Sequence, residues 1–369
     1  MKTNVNNNFK LIEHATIDSL KIRCLLSKVT ILDTSILDEK TKYIISDSTG
    51  EIIEETKIKH LSKEIKFQHY SIKVAIVSQY DFTLKANLDY LEIYLHSKIL
   101  EENYFQGITI SNIEAIYKKL IDTKVFQISF EDFLTSKVND VDVKKDFLCS
   151  NEHFKDLTTY LKKIAISSNR RNKGCHKYEN GNIEFNTRQT STSASPFLKL
   201  YNKELEAIER KSEFFDYYFN VNHFRNLKRI EATLKTSKDL KTSLNITEAT
   251  LLNLLKCDTS QLNEIIVKAV NTNLKEIEAI KIKKSSKIRS NNLDKMIYLH
   301  ITNMIDNQKL FFEDALKVTL EHFENDKQNK YRMKQKMIKI YSEEIATGTN
   351  KKVNLKRIEL LSLIGWEKV

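Results

Sequence analysis

SPFLKLYNK, residues 195–203, alternates apolar and polar side chains at the two-residue period of a β-strand. Leu198 and Leu200 then point to one side, toward a core, while Lys199, Tyr201 and Lys203 point to the other. The same period runs through KVNDVDVKKDF (137–147) and LKRIEATLK (227–235). In the first, Val141, Val143 and Phe147 share a face, opposite Asp140, Asp142, Lys144 and Asp146. In the second, Ile230, Ala232 and Leu234 go inward, and Arg229, Glu231, Thr233 and Lys235 line the polar side. NIEFNTRQ (182–189) sets Glu184, Asn186 and Arg188 against Ile183, Phe185 and Thr187.

Outward from these strands, Thr16–Ile31 holds another short alternating run, SLKIRCLL, and residues 65–96 hold two more, IKFQHYSIKVAIV and LDYLEIYLHS. Ser111–Thr123 reads as a helix, with Ser111 as N-cap, Glu114 completing a capping box, and an apolar stripe of Ile113, Ile116, Tyr117 and Leu120. KVFQISF is strand-like and EDFLTS joins it to the acidic strand. Residues 153–166 form a second helix, a loop covers 167–182 with a turn signal at Glu179–Asn182, and a third helix runs from Glu204 to Phe219. From Thr247 the pattern is wholly helical, with breaks near 284–292 and 348–350. One proline and six glycines in 369 residues suit such long regular elements. The division expected is a disordered tail over 1–15, Asn-rich in its first ten residues, an α+β core over 16–240 and a basic helical domain over 241–369.

The net charge of +11 points to an acidic partner, nucleic acid or an anionic surface. Residues 1–240 carry 37 Lys and Arg against 33 Asp and Glu, and residues 241–369 carry 23 against 16, so the last third is the denser electrostatic footprint. Cys24, Cys149, Cys175 and Cys257 form no CxxC pair, which argues against a zinc ribbon or a disulfide framework and suits a reducing compartment. No apolar run approaches a membrane span of roughly 18–20 residues, and MKTNVNNNFK lacks the apolar stretch of a signal peptide. The expected location is the cytoplasm of a bacterial host, without a membrane partner. There is no P-loop, no GxGxxG and no His-hydrophobic-His triplet, which argues against an NTPase helicase, a dinucleotide enzyme and a histidine-based relaxase.

The polar strand faces carry the chemistry. A tyrosine flanked by two cations suits phosphate, because cations stabilise a phenolate whose pKa otherwise lies near 10. A half-buried tyrosine between solvated lysines fits the same letters. Carboxylates stacked on one strand repel unless a cation sits among them, and hard oxygens favour Mg²⁺ or Mn²⁺; a charged edge strand is the alternative. Glu231 between Arg229 and Lys235 is either a third ligand or part of a surface ion-pair network. Arg188 can clamp a phosphate through its planar fork or stand as a plain surface arginine.

Taken in order, DSLKIR (18–23), YFQGITISNIEAIYKKL (104–120), VNDVDVKKDF (138–147), FNTRQTSTSASPFLKLYNKELE (185–206) and RIEATLK (229–235) resemble the rolling-circle replication initiators of plasmids and single-stranded DNA phages, the Rep_trans group among them. The likeness covers roughly residues 16–240. It implies an α+β fold with an antiparallel-rich curved sheet and flanking helices, followed by an all-helical C-terminal domain. It also implies a divalent metal, Mg²⁺ or Mn²⁺, on Asp142, Asp146 and Glu231, with Tyr201 as nucleophile and Lys203 as the phosphate-facing lysine. Lys199, Arg188, Arg229 and Lys235 would bind nucleic acid. Some members carry extra tyrosines where this chain has Pro196, Phe197 and Leu198, which leaves Tyr217 and Tyr218 as alternative nucleophiles or second-strand acceptors.

The activity this implies is nicking of origin DNA through a 5′-phosphotyrosyl link, leaving a 3′-OH for a polymerase while a host helicase unwinds. A homodimer stays open. The rival reading is an origin-binding protein or repressor that does not cut. A tyrosine recombinase would need an Arg/His set on a helical scaffold, which this chain does not display.

Overall fold

A computed structural model of the chain describes residues 11–37, 40–45, 52–58, 62–81, 85–168, 175–177, 181–185, 197–209, 213–274, 292–307, 310, 312–322, 327–344 and 350–366. Numbered in chain order, the strands are β1 (Thr16–Leu25), β2 (Thr30–Ile31), β3 (Lys40–Ile45), β4 (Ile52–Ile58), β5 (Ser62–Lys66), β6 (Ser71–Asp81), β7 (Ala86–His96), β8 (Phe126–Gln127), β9 (Lys137–Leu148), β10 (Cys175–Lys177), β11 (Ile183–Phe185), β12 (Phe197–Asn202) and β13 (Leu227–Leu234). The α-helices before β13 are α1 (Ile113–Asp122), α2 (Phe130–Thr135), α3 (Asn151–Ser168), α4 (Lys203–Glu209) and α5 (Glu213–Tyr218). After β13 every described element is a helix: α6 (Ser237–Leu244), α7 (Leu251–Leu255), α8 (Thr259–Asn273), α9 (Asn292–Asn307), α10 (Phe312–Glu321), α11 (Lys327–Glu344) and α12 (Asn350–Leu363). The fold class is therefore α+β with a helical C-terminal region, as the sequence implied.

The division of the chain differs from the boundary expected at 240. One unit comprises residues 1–146 and 203–266, the other 147–202 and 267–369. The reason lies in backbone pairing. The segment around Thr250 hydrogen-bonds the start of β9, through Val138 N–H to the Ala249 carbonyl (2.8 Å) and Leu251 N–H to the Ser136 carbonyl (3.0 Å), so α6 and α7 belong with the sheet. Ala15 shows that the expected disordered tail ends before it: Ala15 is buried and its N–H donates to Asn263 Oδ1 at 2.9 Å. The Asn-rich residues 1–10 lie outside the described ones.

In the first unit six strands lie side by side in the order β13–β9–β1–β7–β6–β5. β1 pairs antiparallel with both β7 and β9, and β6 pairs antiparallel with β5 and β7. One face is apolar and covered: Leu20, Ile22, Val141, Val143, Leu91, Ile93, Ile230 and Ala232 are all buried, the pattern of an antiparallel sheet with one side on the core. α1 begins at Ile113 rather than beside Ser111. Asn112 is its N-cap residue, and the Asn112 amide is turned back to the Gly107 carbonyl (2.8 Å) and the Thr109 N–H (2.9 Å), so the capping box with Glu114 does not form. The joining segment EDFLTS is helical, as α2, capped by Ser129 accepting from Asp132 N–H. Of the helix expected from Glu204 to Phe219, α4 and α5 are the described spans, and residues 210–212 lie outside the described ones.

In the second unit β10, β11 and β12 are neighbours in that order, with antiparallel pairing. α12 packs on α3, where Lys356 bridges Asp156 at 3.0 Å and His153 pairs with Glu359. The C-terminal α9, α10 and α11 contact one another, and Phe312 stacks flat on Tyr341 at 3.9 Å.

Candidate functional site

Two bulges shape the polar side of the first unit's sheet. β1 and β9 pair as Ile17↔Val143 and then as Ser19↔Asp142, so Asp18 is one residue too many on β1. Further along, Leu20↔Val141 is followed by Lys21↔Asn139, which makes Asp140 the extra residue on β9, and its φ is +55°. A bulge re-aims the side chain it carries. Asp18 is turned to Lys144 and Ser97, and Asp140 to Lys21 at 3.6 Å.

A 3-10 segment, Ser97–Gln106, lies over this region and is anchored just beyond its end. Ile108 N–H donates to the Ile17 carbonyl at 2.9 Å. At Gly107, with φ +69°, a Cβ would lie 2.6 Å from Thr16 Cβ and 2.8 Å from the Ile17 carbonyl oxygen, so only glycine fits the approach. The segment brings Ser97 and Tyr104 over β1, β9 and β13. Tyr104 sits edge-on to Phe105, Phe214 and Phe215, with centroids 5.1–5.6 Å apart, in an aromatic cluster that also includes Phe219 and Phe224.

Beneath these rings is a buried ionic network. Lys144, 1% exposed, meets Asp18 Oδ1 at 2.8 Å and donates to the Tyr104 carbonyl at 3.2 Å. Ser97 Oγ donates to the same Asp18 oxygen at 2.6 Å. Arg229, 0% exposed, forks onto Asp146 (Nε–Oδ1 2.6 Å, Nη2–Oδ2 2.9 Å) and gives Nη1 to the Tyr104 hydroxyl at 2.7 Å. That Nη1 is also 3.4 Å from Asp18 Oδ2 and 3.9 Å from Glu231 Oε1. Lys203, 2% exposed, meets Glu206 at 2.7 Å and lies 4.8 Å from the Phe215 ring centroid.

The electrostatics follow from this crowding. Burial opposes ionisation of Asp18, but Lys144, Arg229 and Lys203 outweigh it and hold its carboxyl far below the usual range. Burial and then the Arg229 charge lower the Lys144 ammonium. The same two causes bring Lys203 down to about 8, against the pull of Glu206 and Asp18. Burial raises the Tyr104 phenol well above its ordinary value.

The predicted site residues divide accordingly. Asp142, Asp146, Glu231, Arg229 and Lys203 all lie in this unit, and the carboxylates of Asp142 and Asp146 are engaged by protein partners. Both Asp146 oxygens accept from Arg229, and the Asp142 oxygens accept from Ser19 (2.6 Å) and Thr233. The guanidinium of Arg229 stands among Asp146, Asp18 and Glu231, where a divalent ion bound to Asp146 would need room. Among the described residues no group of three His, Cys, Asp or Glu is placed to hold a metal. Arg229, expected on DNA, is buried and cannot reach a phosphate, because the roof of Tyr104 and its neighbours covers that face. Lys203, expected on the strand beside Tyr201, is the first residue of α4, and β12 ends at Asn202. Lys235 follows β13 and is partly exposed.

Tyr201 and Lys199 lie in the second unit on β12, both half-buried, opposite a buried Leu198 and Leu200, as the alternation predicted. Lys199 pairs across the strands with Glu184 on β11. Asn202, one residue on, is fixed by Asn182 (2.8 Å) and Asn151 (2.8 Å). Arg188 lies outside the described residues. Tyr217 and Tyr218 are on α5 in the first unit, with Tyr217 against the His69 ring at 4.0 Å. Asp18, Ser97, Tyr104 and Glu206 are the participants that the strand pattern did not reveal. The available signals were slight: Asp18 is the single acid in TIDSLKIRCL, and Glu206 follows Lys203 by three residues. No protein-family model, no curated protein and no solved structure matches this chain.

Proposed function

We propose that this protein nicks one strand of origin DNA through Tyr201 to begin rolling-circle replication. The observation that carries the reading is the tyrosine's setting. Tyr201 stands half-buried near the end of β12, on the strand face it shares with Lys199, a cation of the kind that stabilises a phenolate and the phosphodiester it attacks. The phenolic oxygen attacks phosphorus, the bond from phosphorus to the 3′-oxygen breaks, and the tyrosine keeps the 5′-phosphate. The phenol gives up one proton and the departing 3′-oxygen takes one. Solvent at the open strand end carries that proton from the phenol to the departing oxygen. The link conserves the ester bond energy, so the closing transfer needs no ATP. The free 3′-OH calls for a polymerase, and continued unwinding calls for a helicase.

The test is incubation with supercoiled plasmid carrying the DNA that flanks this protein's own coding sequence, with Mg²⁺, with Mn²⁺ and with a chelator. The expected products are relaxed circles and a protein–DNA adduct that survives detergent, both lost in Tyr201→Phe. Cleavage that persists in Tyr201→Phe removes Tyr201 from the role. A second reading, origin binding without cutting, draws on the engagement of Asp142 and Asp146 by protein partners. It predicts duplex binding with neither relaxation nor adduct under all three conditions.

A further inference from the structure

In the second unit α9, α10 and α11 contact one another, and α11 is unlike the other two. α11 carries KQNKYRMKQKMIKI over 327–340, with six Lys and Arg and no acid. Its inner side is fixed: Met337 is fully buried, Tyr341 stacks on Phe312 of α10, and Lys336 pairs with the buried Asp294 of α9. The outer side is set by those anchors. Gln328, Arg332, Gln335 and Lys339 recur at i, i+4, i+7 and i+11, which places them along one ridge, and all are exposed. Lys327, Tyr331 and Lys334 run along one flank of it, also exposed, with Tyr331 at 65%.

We infer that α11 docks in the major groove of duplex DNA, with Arg332 and Gln335 reading base edges and Lys327, Lys334 and Lys339 holding phosphates. The chemistry on the ridge is the argument. Arginine pairs with the guanine edge and glutamine with the adenine edge, whereas a purely electrostatic contact needs no amide. A helix of about 10–12 Å diameter fits the groove, and a three-helix cluster presenting its last helix is the docking geometry of helix-turn-helix proteins. The acid-free run over 327–340 favours a polyanion and, with two exposed glutamines and no apolar outer stripe, gives a lipid surface little to bury. This deepens the nicking proposal by naming the element that finds the origin, and it rests on that proposal only for the identity of the duplex.

The experiment uses the full chain and fluorescence anisotropy on a random-sequence 30-base-pair duplex between 50 and 300 mM salt. Lys327→Ala/Lys334→Ala is expected to weaken binding at least tenfold and to lower the slope of log affinity against log salt by about two, one per lost phosphate contact. Lys327→Arg/Lys334→Arg should retain wild-type affinity, which separates lost charge from lost folding. Arg332→Ala/Gln335→Ala should leave the salt slope nearly unchanged and alter the consensus recovered when duplexes are selected from a random pool. Unchanged duplex affinity in the lysine double variant overturns the inference, as does loss of binding to phosphatidylserine vesicles with duplex binding intact. Covalent adduct formation on single-stranded DNA is scored in parallel. Adduct intact with duplex binding indifferent to α11 refutes this inference alone, while duplex binding that needs α11 without any adduct refutes nicking alone.

Discussion

Arg229 and Asp146 face each other across β13 and β9 as a two-pronged, buried pair, Nε to Oδ1 at 2.6 Å and Nη2 to Oδ2 at 2.9 Å. Such a pair is costly to break from one side, since the survivor is left as an unpaired charge in the interior. Asp146→Asn is expected to lower unfolding stability by about 3–5 kcal/mol. The double variant Asp146→Leu/Arg229→Met should recover most of that loss, because burying two apolar groups avoids the desolvation of two ions. Urea unfolding of the two variants beside wild type measures the difference; equal losses in both would remove the pair from the account.

Lys203 gives the fold a pH signature. Its pKa is about 8 when folded and 10.5 by the ordinary value, so between those pH values the unfolded chain binds a proton that the folded chain does not. Stability therefore rises with pH across that window. Below pH 8 both states carry the charge and the full burial penalty is present, about 3 kcal/mol in all; above 10.5 it is gone. In Lys203→Met the rise should vanish. Chemical unfolding of both proteins from pH 7 to 10, taken as a difference, isolates this group from the tyrosines that titrate higher.

The strands were legible because a period of two leaves its mark in the letters: Leu198, Leu200, Val141, Val143, Ile230 and Ala232 all face inward as their alternation requires. What alternation cannot tell is whether the opposite face meets water. Arg229 looked like a surface cation, yet Tyr104 and Ser97, far away along the chain, roof it over. The bulges at Asp18 and Asp140 were equally silent, since neither is a glycine and each interrupts a run that still reads as a strand. The attachment of the first C-terminal helices was silent for a related reason: Thr250 and Ala249 tie them to β9 through backbone groups, which leave no trace in side-chain pattern.

Gly107 tests the roof itself. Any side chain there both holds a positive φ and collides with Thr16 and the Ile17 carbonyl. Gly107→Ala is expected to destabilise by more than about 1 kcal/mol, and to loosen Tyr104 from Arg229. Hydrogen exchange at Ile108, whose N–H donates to Ile17, should accelerate in the variant relative to β6 and β7. Unchanged protection at Ile108 would show that the anchor does not depend on the glycine.

Tyr217 and Tyr218 compete with Tyr201 for the nucleophile's role, and their surroundings separate them. Burial, then the charge of Glu101, pushes the Tyr218 phenol up to about 12, which makes its phenolate scarcer at neutral pH. Both tyrosines are packed into an aromatic group with His69, at centroid distances of 4.0 Å for Tyr217 and 5.9 Å for Tyr218. Phenylalanine at either position keeps that packing while removing the hydroxyl. Tyr217→Phe and Tyr218→Phe are therefore expected to form covalent adduct with DNA at close to the wild-type level, and Tyr201→Phe to form none. Peptide mapping of the adduct after nuclease digestion places the remaining nucleotide on one tyrosine. A nucleotide found on the peptide bearing Tyr217 and Tyr218, rather than on the one bearing Tyr201, would move the chemistry from β12 to α5.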